Sequence, residues 1–136
     1  MKIIKEISIA ADRDEIWQWL TDKKKINIIN GQGKSGFPNS EEINKILSSE
    51  FWIVSSVDTP NSLILTSQDP QIPLVSTYTL SEKGKKIALK VIIEGWEKLA
   101  LDTIKNQMPQ ISLEWEKRLG FIKKQAESAK TAKVNQ

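Results

Sequence analysis

The stretch EISIAADRDEIWQWLTD, residues 6–22, carries two rhythms end to end. Up to Ile9 apolar and polar residues alternate, with Ile3, Ile7 and Ile9 on one face and Glu6 and Ser8 on the other. That period of two predicts a half-buried strand over residues 2–9. Then Ile16, Trp17 and Leu20 recur at helical spacing, which leaves Arg13, Asp14 and Gln18 to water. Asp12 with Glu15 three places on is a variant of the capping box that opens a helix. Strand passes straight into helix, and the helix carries two tryptophans, Trp17 and Trp19.

Working outward, KKKINIIN (23–30) reads as a second short helix, and GQGKSGFPNS (31–40), with three of the six glycines and a proline, as a loop. A run of strands follows. EEINKIL (41–47) suits either helix or strand and is read as strand; EFWIVSSVD (50–58) is aromatic and β-branched, and TPN (59–61) is a turn. In the 50–58 strand Phe51, Ile53 and Val57 compete with Trp52 and Val54 for the inside, since one slip of register exchanges the two sets. SLILTSQ (62–68) and QIPLVSTYTL (71–80) come next, then a hairpin turn at SEKGKK (81–86) and the strand KIALKVIIE (86–94). Short turns between neighbours predict an antiparallel sheet. From Gly95 the period becomes helical: Trp96, Leu99, Ile104, Met108, Ile111, Trp115, Leu119 and Ile122. Pro109 lacks an N–H and disfavours helix at Met108, so a short helical segment is expected before it and a long helix over about 110–129. The tail 130–136 is expected to fray.

At 136 residues the chain is read as one domain, residues 1–129, and can bury roughly two-thirds of its unfolded surface without metal or disulfide staples. Cysteine and histidine are both absent. Their absence removes disulfides, thiol nucleophiles, histidine triads and almost every zinc site, so neither metal nor cofactor is expected. Acid–base chemistry falls to carboxylates, lysines or Tyr78. The net charge is +3, and the lysines are spread along the chain without interleaved aromatics, so no nucleic-acid partner is expected. The start, MKIIKEISIA, is too charged for a signal peptide, and no apolar run approaches the roughly 18 residues of a membrane span. The protein is expected in the cytoplasm.

Strand, one or two helices, several antiparallel strands and a long C-terminal helix resemble the helix-grip fold of the START and birch-pollen-allergen superfamily. Two stretches look like its branch of activators of the heat-shock-protein-90 ATPase. ISIAADRDEIWQWLTD (7–22) is similar to that family's strand followed by A-x-x-x-x-V-W-x-x-L-T, and WEKRLGFIKKQAE (115–127) to its closing W-x-x-x-L-x-x-L-K. The sequence departs from the family where Asp12 replaces a usual proline, where KKKINIIN replaces a tryptophan after the first helix, and where a glycine pair is missing. The resemblance implies an α+β fold in which a curved antiparallel sheet of six or seven strands wraps a C-terminal helix. The first strand lies at the sheet edge and hands over to helices that plug one end of the grip. Trp17 would then wedge between helix and sheet. Trp19, about 200° away around the helix, would lie at the surface or against the mouth.

The resemblance further implies an apolar cavity of the kind that holds lipids, hormones or polyketides. Its candidate lining is Leu74, Ser76, Tyr78 and Leu80 from one strand and Leu89, Val91 and Ile93 from the next. The long helix would add Met108, Ile111, Trp115 and Leu119. Periodicity alone describes a filled core equally well. Ser76 and Tyr78 carry hydroxyls on an apolar face and need partners, either a ligand's polar end or a backbone carbonyl or water. Asp12, Asp14 and Glu15 sit where a helix dipole favours them, and GQGKSG lacks the ending of a phosphate loop. The leading expectation is therefore a binding protein for a hydrophobic or amphipathic small molecule, with no catalytic residues. A protein-binding module such as a chaperone regulator is the second. A cyclase or dehydratase using Tyr78 and a carboxylate such as Glu94 is the third.

Overall fold

The computed structural model describes residues 2–22, 24–25, 52–70 and 72–134, with side chains through residue 129. The expected helix at 23–30 (apart from Lys24 and Lys25), the loop at 31–40 and the strand at 41–47 lie outside the described residues.

Five strands form one curved antiparallel sheet in the order β1-β5-β4-β3-β2. They are β1 (Ile3–Ile9), β2 (Trp52–Asp58), β3 (Ser62–Ser67), β4 (Val75–Lys83) and β5 (Lys86–Glu94). Six or seven were expected; five lie among the described residues. Among the described residues the first strand is an edge, as the resemblance implied. The strand expected from residue 71 begins at Val75, because Pro73 before it has no N–H to give a ladder. Tyr78 stands opposite Val91 and Leu63, and Ser76 opposite Ile93 and Leu65, so these side chains share one face. On β1 the same face carries Ile3, Lys5, Ile7 and Ile9, opposite Ile93, Val91, Leu89 and Ile87.

The competition within β2 is settled by a bulge between Val54 and Ser56. Trp52 and Val54 precede it and Val57 follows it, opposite Ser67, Leu65 and Leu63. An extra residue changes the parity of everything beyond it, so Trp52, Val54 and Val57 all fall on the inner face and Ile53 on the outer. The β4–β5 hairpin closes in two residues, Gly84-Lys85, with Gly84 at φ +66°. A positive φ at the first loop position is the place where tight hairpins use glycine.

Among the described residues two α-helices lie on the inner face: α1 (Arg13–Thr21) and α2 (Leu101–Val134). The chain leaves β5 through Gly95 at φ +102° and a single 3-10 turn, Trp96–Lys98. Trp96 is fully buried there, its indole N–H donating to the Ile93 carbonyl at 3.1 Å. Helix α2 is then continuous through Pro109, where a break was expected. Pro109 and Lys105 are both exposed, so water can take the carbonyl that the missing N–H leaves open. Beside it the Gln110 side chain donates to the Asn106 carbonyl at 2.6 Å.

Helix α2 is tied along β1 at three points. Lys5 Nζ meets Glu116 Oε1 at 2.5 Å, Lys123 Nζ donates to the Ser8 carbonyl at 2.8 Å, and the Ala10 N–H donates to Glu127 Oε2 at 2.8 Å. From Lys5 to Ala10 a strand advances about 17 Å, and from Glu116 to Glu127 a helix advances about the same, so strand and helix run parallel in matched register.

Helix α1 differs from its reading in three details. Asp12 is the N-cap residue, but its side chain makes no cap hydrogen bond. Arg13 is half-buried rather than left to water, donating to Asn61 Oδ1 at 2.8 Å with Glu82 3.8 Å away. Trp19, expected at the surface or mouth, is buried like Trp17. Its ring meets Phe121 of α2 edge-on at 5.8 Å, and Lys25 Nζ lies 4.3 Å from its centroid. Helix α1 packs against α2 as well as the core, so a second face is covered.

Candidate functional site

Between the inner face of the sheet and α2, the pleat of β4 presents Ser76, Tyr78 and Leu80, with Leu74 just before the strand. All four are buried. Leu74 is held by its carbonyl, which accepts the Ser67 N–H at 3.1 Å. Opposite on β5, Leu89, Val91 and Ile93 are fully buried. Helix α2 closes over them with Ile111, Trp115 and Leu119, all buried, and Met108, half-buried. The eleven residues read from the sequence thus occupy the facing surfaces of sheet and helix. Burying each large apolar side chain contributes about 1.5–3 kcal/mol, which accounts for the cohesion of this layer.

Four polar groups interrupt it. Glu114 and Arg118 of α2 pair at 3.9 Å, Nε to Oε1, with Glu114 only 1% exposed. The Arg118 guanidinium lies 5.4 Å from the Trp115 ring centroid, and Trp115 stacks at a tilt on Tyr78, 5.5 Å between centroids. Burial pushes the Tyr78 phenol up to about 12, against the opposing pull of the Arg118 charge and the Ser76 hydroxyl. Burial likewise lowers the Arg118 guanidinium, against electrostatic support from Tyr78 and from Glu114. Ser76 therefore lies near the Tyr78 hydroxyl, yet Ser76 Oγ completes no hydrogen bond, and neither does Glu114 Oε2. Both atoms are buried.

Each unpaired buried polar atom costs about 1–3 kcal/mol, and a buried ion pair costs about as much in desolvation as it returns. Buried polar atoms left open inside a protein call for an explanation, and a binding site is one. Tyr78 stays a protonated hydrogen-bond donor across the physiological range, so it can orient a ligand but is poorly suited to act as a base.

The sequence reading singles out Ser76 and Tyr78 as polar groups of this layer and passes over Glu114 and Arg118. A signal was present: Ile111, Glu114, Arg118 and Ile122 follow one another at three, four and four residues, a seam whose ends are apolar. Glu94, the carboxylate considered for catalysis with Tyr78, is not in this layer. It neighbours Ile93 along the strand and so points the other way, where it pairs with Lys2 at 3.1 Å. Among the described residues no group of acidic side chains could hold a metal ion, and no helix is long and apolar enough to cross a membrane.

No protein-family model matches the chain, and no curated protein matches it in sequence. Solved structures match it in fold. The Aha1 dimer of Colwellia psychrerythraea superposes with a TM-score of 0.70 at 13% identity, covering 93% of this chain and 96% of that one. Protein Ms6760 of Mycobacterium smegmatis gives 0.60 at 15% identity, covering 97% and 92%. CalU16 of Micromonospora echinospora gives 0.58 at 18% identity, covering 90% and 71%. The chain shares the fold of these three structures, the helix-grip arrangement that its order of elements implied.

Proposed function

We propose that this protein binds a hydrophobic or amphipathic small molecule between the inner face of the sheet and α2, in the cytoplasm. One observation carries the reading: Ser76 Oγ and Glu114 Oε2 are buried without hydrogen bonds in a layer that is otherwise apolar. Apolar pockets fix ligand orientation with a few convergent polar groups, and these two, with Tyr78, have that character. The inner residues of β2 offer an approach, since Val54 is 58% and Val57 54% exposed. Titration with fatty acids, sterols and aromatic polyketides tests the reading. A member of the panel should raise the melting temperature and change the fluorescence of Trp115 saturably. If none moves either observable, the reading is wrong.

A second reading, a protein-binding module, is favoured by the same strand. Among the described residues β2 is the last strand of the sheet, and its Ile53, Val54 and Val57 are all about half exposed or more, the feature that adds a partner's strand or surface. A pull-down with intact protein should return a stoichiometric partner that a charged substitution at Ile53 releases; no partner would exclude it.

A further inference from the structure

Resting on the small-molecule reading above, we propose that the polar end of the ligand is uncharged and both donates and accepts a hydrogen bond, as an alcohol does. It would be held between Glu114 of α2 and Ser76 and Tyr78 of β4. A carboxylate oxygen can only accept, so Glu114 Oε2, buried without a bond, requires a donor. A hydroxyl can give or take, so Ser76 Oγ, equally buried and equally open, accommodates either role. The Tyr78 phenol, held protonated by burial, adds a donor. An alcohol oxygen has the matching capacities: its proton can go to Glu114, and its lone pairs can accept from Tyr78 and Ser76.

Charge excludes the other common head groups. Glu114 and Arg118 lie 3.9 Å apart and together are neutral. Beside this neutral pair a ligand carboxylate or ammonium would leave one uncompensated net charge in an interior that solvates charge poorly. A neutral dipole avoids that penalty. Because an unmet hydrogen-bond partner inside a site discriminates strongly, the preference should be large.

The test compares four ligands with one chain length, 1-decanol, decanoate, decylammonium and decane, titrated into the intact protein at neutral pH. Tryptophan fluorescence and melting temperature are the readouts. Decanol should bind at least about tenfold more tightly than decanoate or decylammonium, and more tightly than decane. If decanoate or decylammonium binds as well as decanol, the inference is overturned while the binding function stands. If none of the four binds, the binding function itself falls, and the inference with it. Glu114→Gln replaces an acceptor by a group that also donates, and should erase the preference for decanol over decanoate. Ser76→Ala, a smaller change, should weaken decanol several-fold and leave decane unaltered. Retained decanol preference in both variants would overturn the assignment of the head-group site.

Discussion

The Tyr78 ring of β4 and the Trp115 ring of α2 stand 5.5 Å apart at an interplanar angle of 56°. This contact joins sheet to helix beside the other three polar groups of the inner layer. Tyr78→Phe keeps the ring and removes the hydroxyl, so it should change stability by no more than about 1 kcal/mol. Tyr78→Ala also removes the ring and should cost about 3–5 kcal/mol. Urea denaturation of the two variants measures the difference; equal losses would mean that the ring contact contributes little.

Gly95 sits at φ +102°, and a Cβ there would lie 2.3 Å from the Pro73 carbonyl oxygen. Gly120 is inside α2 with nothing within 4 Å of a Cβ. The same substitution should therefore act in opposite directions. Gly95→Ala should destabilise by about 2 kcal/mol or more, through strain and clash together. Gly120→Ala should stabilise by about 0.5–1 kcal/mol, through helix propensity and the lower entropy of the unfolded chain. Melting temperatures of both variants, measured side by side, check the pair.

Glu114 and Arg118 stabilise the fold little for what their burial costs. Arg118→Met alone leaves Glu114 buried beside no cation and should cost about 3–5 kcal/mol. Glu114→Leu combined with Arg118→Met removes both charges and should restore stability to the parent level or above it. A double variant that is stable but no longer binds would show that the pair is kept for ligand recognition. Chemical denaturation gives the first half of that result and ligand titration the second.

The Ala10 N–H on Glu127 holds that carboxyl below its ordinary value of 4.5, with help from Lys123, 3.3 Å away, and from the charge of Lys86. A folded-state value below the unfolded one gives stability that is present above the unfolded value and lost as pH falls through the folded one. The α2–β1 attachment should accordingly weaken below about pH 4.5. Glu127→Gln should lower stability at neutral pH and flatten its acid dependence. Urea midpoints at neutral pH and below pH 4.5 test this; parallel losses in parent and variant would contradict it.

The order of elements and the inner faces of β4 and β5 were legible in the sequence, because regular alternation from Ser76 to Leu80 and from Leu89 to Ile93 leaves one choice of inside. β2 was not legible, because the bulge between Val54 and Ser56 changes parity in mid-strand and no local residue announces it. Trp19 was misplaced for a different reason. Helical period gives the angle between Trp17 and Trp19, but not whether Phe121 from a distant helix covers the second face. Pro109 was read as a break by its chemistry, whereas its exposure decides that the helix continues. Glu114 and Arg118 were passed over because charges at four-residue spacing usually mark a solvated face. Only their position between Ile111 and Ile122 gave them away.

The central claim, that the interior between β4 and α2 receives a ligand, is tested most directly by a two-dimensional amide and indole NMR titration of the intact chain with 1-decanol. The account predicts saturable shifts concentrated at Leu74–Leu80, Leu89–Ile93 and Met108–Leu119, including the indole N–H of Trp115. Shifts that do not saturate, or that fall on the outer face around Ile4 and Glu94 and spare Trp115, would contradict it.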